Sequence, residues 1–238
     1  SPFTLGATAL LAGVTMGVAH MNFINPEITN LVPVLKSYWL MIHVATIISG
    51  DGFLGLGSIL SLMVLILFII RRETNSIEID RSIKELTNIA EMSIIVGLFL
   101  MTIGNFLGGV WANESWGRYW GWDAKETWAA VTILVYASIL HLRFIPALKN
   151  PFVFNVASLW GYSTVIMTYF GVNYYLSGLH SYAAGAPIPL PDWVIPSVIA
   201  LFVLTLVAAR SLKNIKIVFM VLSPLILWVA GLLFMLKY

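Results

Sequence analysis

Five of the nine tryptophans fall within 18 residues, in the segment Trp111-Ala-Asn-Glu-Ser-Trp116-Gly-Arg-Tyr-Trp120-Gly-Trp122-Asp123-Ala-Lys-Glu-Thr-Trp128. One or two tryptophans at a membrane boundary are ordinary, because the indole ring is amphipathic and settles at the interface. Five in one segment exceed that need. Gly117 and Gly121 are interleaved with them, and a residue without a Cβ lets backbone come close to a flat partner. Tight indole packing around a large planar apolar ligand, a porphyrin or a quinone-like ring, accounts for both features. Arg118 and Lys125 are then available as cations for its acidic substituents.

The chain has four histidines, His20, His43, His141 and His180, and no cysteine. Disulfides, thiolate metal sites and attachment of haem to this chain through cysteine are thereby excluded, so redox or metal chemistry must rest on the four histidines. Two neutral imidazoles on opposite sides of an aromatic platform are what six-coordinate haem iron requires. His43 and His180 are the pair that topology brings to the face carrying the tryptophan segment; each taken singly reads rather as an interfacial histidine bonded to backbone, and their co-location with that segment reverses the preference. His141 lies about 20 Å below the outer boundary by helical rise. An ionisable residue at that depth usually faces the bundle interior and marks a pathway, while the neighbouring Arg143 makes a cytoplasmic boundary position an equal reading. His20 has no comparable context and reads as structural. Asp123 and Glu126 read as groups that orient the segment or assist proton movement.

The elements that must position these residues follow from composition. The 238 residues are 59% hydrophobic and 10% charged, with a mean hydropathy of +0.90. A soluble domain carries about 25% charged residues on its surface, so this chain reads as an all-α polytopic membrane protein, a single domain over 1–238. Its net charge of +2 gives no ground for a nucleic-acid partner; its surroundings are membrane lipid. About 20 apolar residues cross a bilayer core as a helix, and such runs lie near 3–21, 51–70, 89–110, 127–143, 152–172, 192–209 and 217–236, about seven spans. Lys and Arg concentrate on the cytoplasmic side. Arg71, Arg72, Arg81, Lys84, Arg143, Lys149, Arg210, Lys213 and Lys216 fall on one side and Lys36, Arg118, Lys125 and Lys237 on the other. That bias predicts an amino end inside and loops near 22–38, 111–126 and 173–191 outside. No internal repeat is visible, and residue 1 is serine, as in a processed chain or a piece of a longer polypeptide.

Two connectors stand out. Residues 71–85 hold eight of the 24 charged residues, with opposite signs four apart at Asp80/Lys84 and Arg81/Glu85, which favours an exposed helix in a charged cytoplasmic connector over 71–88. The segment near 181–192 is rich in Ala, Gly and Pro and reads as extended chain. Residues 39–70 are nearly continuously apolar, broken only by Ser49-Gly50-Asp51-Gly52. A continuous helix of that length spans about 48 Å, which exceeds the bilayer core and puts His43 about 42 Å above the Arg71-Arg72 boundary, on the outer face.

These residues carry a resemblance. The segment 111–128, with its Asp123-Ala-Lys-Glu-Thr-Trp128 ending, resembles the tryptophan-rich WWD signature of the CcsA/ResC family, the integral-membrane half of System II cytochrome c synthase. Leu31-Val-Pro-Val-Leu-Lys-Ser-Tyr-Trp-Leu-Met-Ile-His43, Tyr136-Ala-Ser-Ile-Leu-His-Leu-Arg143 and Phe170-Gly-Val-Asn-Tyr-Tyr-Leu-Ser-Gly-Leu-His-Ser-Tyr182 extend the likeness over a core from 31 to 182. The resemblance implies haem b as the cofactor handled, with His43 and His180 as outer axial ligands and His141 as an intramembrane transit ligand. Trp111, Trp116, Trp120, Trp122, Asp123, Trp128 and Arg118 form the binding segment. It also implies a CcsB/ResB-type subunit or fused domain as partner, and an apocytochrome c bearing Cys-X-X-Cys-His. The expected activity is thioether formation on the outer face of a bacterial inner membrane or a thylakoid membrane, with His43 and His180 as the catalytic pair. A haem transporter or chaperone without synthase activity, or a b-type electron-transfer cytochrome, are the alternatives. Asp51 with its flanking glycines, expected to interrupt the second helix, and two further spans over 192–238 are departures from the family pattern.

Overall fold

A bilayer offers no partner for an open backbone, so apolar runs satisfy their amides internally as helices. The computed structural model describes residues 2–19, 37–180, 191–210, 212, 221 and 223–231, and every regular element among them is helical. His20, Lys36 and segment 181–190 lie outside the described residues. Helix α1 is Pro2–Ala19, α2 Tyr38–Ile70, α3 Ser76–Trp116, α4 Ala124–His141, α5 Pro151–Ile166, α6 Val172–Tyr175 and α7 Val194–Ala209. A π-helical stretch, Met167–Gly171, joins α5 to α6 without a break. Residues 223–231 are also helical. Tyr38–Ile70, Glu73–Trp116 and Ala124–Phe144 are each long and apolar enough to cross a membrane, and Val194–Ala209 is a shorter apolar helix.

The bundle has the polarity of a membrane protein, with small polar side chains inside and large apolar ones outside. Ser61, Thr132, Asn155, Ser158 and Thr164 are fully buried, whereas Phe106 and Leu134 are 76% and 67% exposed. Two hydrogen bonds join buried groups across helices. Asn155 donates to Thr87 Oγ1 at 2.8 Å and Trp160 Nε1 to Thr205 Oγ1 at 3.2 Å.

The spine is the antiparallel pair of α2 and α3, brought together by glycines. A Cβ on Gly97 would meet the Gly50 carbonyl at 3.0 Å and Leu54 at 2.7 Å, and one on Gly50 would meet the Gly97 carbonyl at 3.1 Å. Small residues of this kind let membrane helices approach closely enough for van der Waals contact to hold them. Gly97→Leu is therefore expected to separate the pair and lower the thermal midpoint of the detergent-solubilised chain, by about 1–3 kcal/mol of overpacking. Gly52→Ala, which meets nothing within 4 Å, is expected to leave it unchanged or raised.

Three sequence expectations are corrected. The Ser49-Gly50-Asp51-Gly52 stretch does not interrupt α2, which runs unbroken for 33 residues; Gly50 and Asp51 are buried against the neighbouring helices. Residues 76–88 of the charged connector do form the expected helix, as the first turns of the 41-residue α3, but one of its charge pairs differs. There Asp80 pairs with Arg71, 2.6 Å away, instead of Lys84, while Arg81 and Glu85 do pair at 3.0 Å. The tryptophan segment is only partly a loop, because Trp111–Trp116 belong to α3 and Lys125, Glu126 and Trp128 to α4. Continuing α3 this far fixes Trp111 and Trp116 on a rigid rod.

Candidate functional site

Helix α3 stops at Gly117, which takes φ 72°, and its amide donates to the Asn113 carbonyl. A left-handed residue at this position is the usual glycine helix end. The chain then turns through 118–122 and starts α4 at Asp123, whose carboxylate accepts from the Glu126 amide at 2.9 Å. Glu126 answers by accepting from the Asp123 and Gly121 amides at 3.3 and 2.7 Å. This reciprocal cap holds Asp123 in one orientation. It also explains why Asp123, Glu126 and His180 cluster closely enough to resemble a metal site: the two carboxylates are spent on backbone amides.

Asp123 has a second duty. Its Oδ2 accepts from His180 Nδ1 at 2.5 Å and from the His180 amide at 3.3 Å. Burial resists ionisation of this carboxyl, yet the Glu126 amide and the His180 contacts outweigh it and hold its pKa below the ordinary carboxylate value. A depressed carboxylate contributes its stability above the ordinary carboxylate range and loses it only as pH falls below, so the contact persists at neutral pH. His180 reaches this place on the chain that leaves α6, where a Cβ on Gly178 would come into van der Waals contact with Asp123.

His43 arrives from α2. Its Nδ1 faces the Gly104 carbonyl of α3 at 2.7 Å, which makes Nδ1 the donor. Its ring lies flat along Gly108, where a Cβ would stand 2.6 Å from Cε1 and 2.8 Å from Nδ1. The hydroxyl of Ser37 donates to Glu114 Oε2 at 2.6 Å and ties the start of α2 to the end of α3. Trp111, 1% exposed, stands between the two imidazoles. It is parallel to His43 at 6.3 Å and 9°, and tilted to His180 at 5.6 Å. Trp116 meets Trp111 and His180 edge-on, each at 4.8 Å. His43, His180, Trp111, Trp116 and Asp123 thus form one cluster drawn from three helices and a loop.

The other expected site residues fall elsewhere. Trp120 and Trp122 make a separate edge-on pair at 5.5 Å, and the buried indole N–H of Trp120 has no partner among the described residues. Trp122 is 75% exposed and takes φ 57°, a conformation that costs a bulky residue about 1–3 kcal/mol. Trp122→Gly is therefore expected to raise the thermal midpoint while leaving the His180–Asp123 contact in place. Trp128 is half-buried on α4. The Arg118 guanidinium occupies the space a Gly121 Cβ would fill. Lys125 is turned inward, donating to Asn173 Oδ1 at 3.3 Å and lying 5.8 Å from the centre of the Tyr169 ring. It braces α4 against α6 and is not a free cation.

His141 stands at the opposite end of α4, about 27 Å from Asp123 by helical rise. It is exposed, with Nδ1 on the Ala137 carbonyl at 2.6 Å, and Arg143 beside it bonds Glu91 at 2.5 Å. Its imidazole is exposed and is not turned into the interior of the described bundle. Gly104 and Gly108 were not picked out by sequence reasoning. Their signal is the recurrence of glycine at 97, 104 and 108, spacings of seven and four that mark one face of a helix.

The donor set suits a flat iron-bearing ligand. Each imidazole commits Nδ1 to an oxygen acceptor, which leaves Nε2 as the ligating nitrogen, the arrangement that fixes tautomer and ring orientation at metal sites. Indoles supply the apolar contact.

The description Cytochrome C assembly protein belongs to the family model that matches residues 1–180. The chain is 53% identical over 189 residues to Protein NrfI of Wolinella succinogenes, covering 79% of this chain and 21% of that protein. It is 33% identical over 213 residues to the cytochrome c biogenesis protein CcsA of Prochlorococcus marinus strain SARG, covering 76% and 66%. With CcsA of Chlamydomonas reinhardtii it is 43% identical over 152 residues, covering 64% and 42%. The chain therefore spans about a fifth of the first of these relatives and up to about two thirds of the others.

Proposed function

The chain belongs to the cytochrome c assembly protein family, and from that premise we propose that it holds haem for attachment to apocytochrome c in an energy-transducing membrane. The observation that carries this reading is the convergence of His43 and His180, 137 residues apart in sequence, on Trp111. Haem b is the substrate, and its iron supplies two axial positions while its vinyl groups supply the carbons that accept thiols. His43 and His180 hold the iron, Trp111 and Trp116 exclude water from the ring, and Arg118 and the Trp120 indole N–H receive its oxygen-bearing substituents. An apocytochrome segment with Cys-X-X-Cys-His presents two thiols, each S–H adding across one vinyl group to leave a thioether, with no other reactant consumed. The chain's share is orientation, and the chemistry is the cofactor's own. On this reading it is the holocytochrome c synthase portion that works with a CcsB/ResB-type subunit or fused domain. The positive-inside bias then puts His43, His180 and the tryptophan segment on the periplasmic or lumenal face, and His141 near the cytoplasmic face.

The test is a pyridine haemochrome assay of the purified chain, followed by incubation of the loaded protein with reduced apocytochrome peptide. Low-spin haem and peptide-linked haem resistant to acid extraction are expected. A chain that neither carries nor takes up haem removes the reading, and haem that binds without ever reaching peptide thiols makes the protein a haem carrier. The outward-facing His141 suits a transit ligand shared with the partner half. His141→Ala is expected to lower haem content about tenfold or more when the two halves are expressed together, as loss of a metal ligand does. Unchanged content there excludes the transit role.

A further inference from the structure

The two imidazoles that would hold iron are not held alike. His180 donates Nδ1–H to a carboxylate that is itself locked by the helix cap, and its backbone amide is bonded to the same Oδ2. His43 donates Nδ1–H to the neutral carbonyl of Gly104 and has one parallel indole beside it. Hydrogen bonds to an ionised acceptor are roughly twice as strong as neutral ones. Such a bond draws the proton away from the ring and raises its basicity as a metal ligand. His180 is therefore the stronger donor to iron and the more tightly oriented of the two, with Trp116 edge-on to it and Trp111 tilted against it.

We propose that His43 is the exchangeable ligand and His180 the permanent one, so that the histidine of an incoming Cys-X-X-Cys-His peptide takes the place of His43. Asp123 is the positioning residue that sets this order. The inference rests on the haem-holding reading above and assigns to that same site the side from which the peptide's histidine enters. The exchange balances simply: the iron bond to His43 Nε2 breaks, one to the peptide imidazole forms, and no electron or proton is gained or lost. The released His43 stays hydrogen-bonded to Gly104, ready to return once the product leaves.

Asp123→Asn separates this from a merely structural role, because its single carbonyl oxygen can keep the cap on the Glu126 amide, while an uncharged amide nitrogen takes the place of Oδ2 and no longer accepts from His180 Nδ1–H. The measurement is the spectroelectrochemical midpoint potential of the loaded full-length chain, with and without a Ser-X-X-Ser-His peptide, whose missing thiols prevent thioether formation. Without peptide, Asp123→Asn is expected to raise the potential, since a less basic imidazole stabilises ferric iron less. With peptide bound, the same upward shift is expected to persist, because His180 remains on the iron. A shift that disappears on peptide binding means that His180 leaves, and overturns the proposal. The ferrous protein gives a second readout. After carbon monoxide binding and photolysis, the iron–histidine stretching band of the retained ligand is expected to move to lower frequency in Asp123→Asn, and an unmoved band identifies His43 as the retained ligand and overturns the proposal. Absence of low-spin haem in the unsubstituted chain defeats the haem-holding reading instead, so the two failures are told apart.

Discussion

His180→Gly is expected to cut the haem content of the purified chain about tenfold to a hundredfold and to abolish low-spin coordination, with His43→Gly close behind it. The two losses have different companions. Removing the His180 ring takes a donor from Asp123, whose side chain is 8% exposed, and a buried carboxylate left short of a donor costs about 1–3 kcal/mol or more. Removing His43 leaves only the Gly104 carbonyl short of a partner, so His43→Gly is expected to keep nearly the parental thermal midpoint. Millimolar imidazole separates the variants further. In His180→Gly the Asp123 carboxylate waits for an imidazole N–H, so added imidazole is expected to restore six-coordinate haem at lower concentration there than in His43→Gly. Absorbance spectra during an imidazole titration read both effects. Equal imidazole requirements would show that the carboxylate gives His180 no advantage, and unchanged haem in both variants would remove them as ligands.

The sequence carried much of this site, for reasons that lie in particular residues. Tryptophan density and the placing of His43 and His180 at the same end of the spans as the tryptophan segment follow from composition and span order, both of which survive without knowledge of packing. The Asp123 cap was also visible in principle, since Asp followed by Glu three positions later is a helix-start pattern. Other features were hidden because they depend on which groups meet across helices. Lys125 looks like a solvent-facing cation until α6 and the π-helical stretch before it bring Asn173 and Tyr169 to it. Asp51 with two flanking glycines looks like a helix break, but Gly50 is where α2 closes on α3, and tertiary contact overrides the weak helix propensity of glycine. The division of the tryptophan segment between α3 and α4 was hidden too. Local propensity does not say how far a long helix continues once its neighbour supports it along its whole length, and α2 supports α3 up to the His43–Gly108 contact. Residues 20–36, which hold His20 and Lys36, and segment 181–190 lie outside the described structure.

The contact between His43 and Gly108 also permits the smallest substitution with a large expected effect. Gly108→Ala adds one carbon at 2.6 Å from Cε1, 2.8 Å from Nδ1 and 3.2 Å from Nε2 of His43. These atoms belong to a rigid ring, so the collision cannot be relieved at the tip of a flexible chain. The ring has two ways out. It can rotate about its χ angles, which breaks the 2.7 Å bond to Gly104 and turns Nε2 away from Trp111, or α2 can shift away from α3, which the Gly50–Gly97 approach resists. Either route misplaces one axial nitrogen while leaving every ligand and every indole chemically intact. Haem content is therefore expected to fall about tenfold, toward that of His43→Gly, with high-spin iron in the fraction that remains. Helix propensity pushes the other way, since alanine favours a helix interior over glycine by about 0.5–1 kcal/mol, so the thermal midpoint is expected to change little. Gly52→Ala makes the same chemical change on α2 where nothing lies within 4 Å, and it is expected to retain full haem. A Gly108→Ala protein with normal low-spin haem would mean that His43 does not use this position to reach iron. Haem loss with an unchanged melting curve would trace the effect to one imidazole held in place by the absence of one carbon atom on the neighbouring helix.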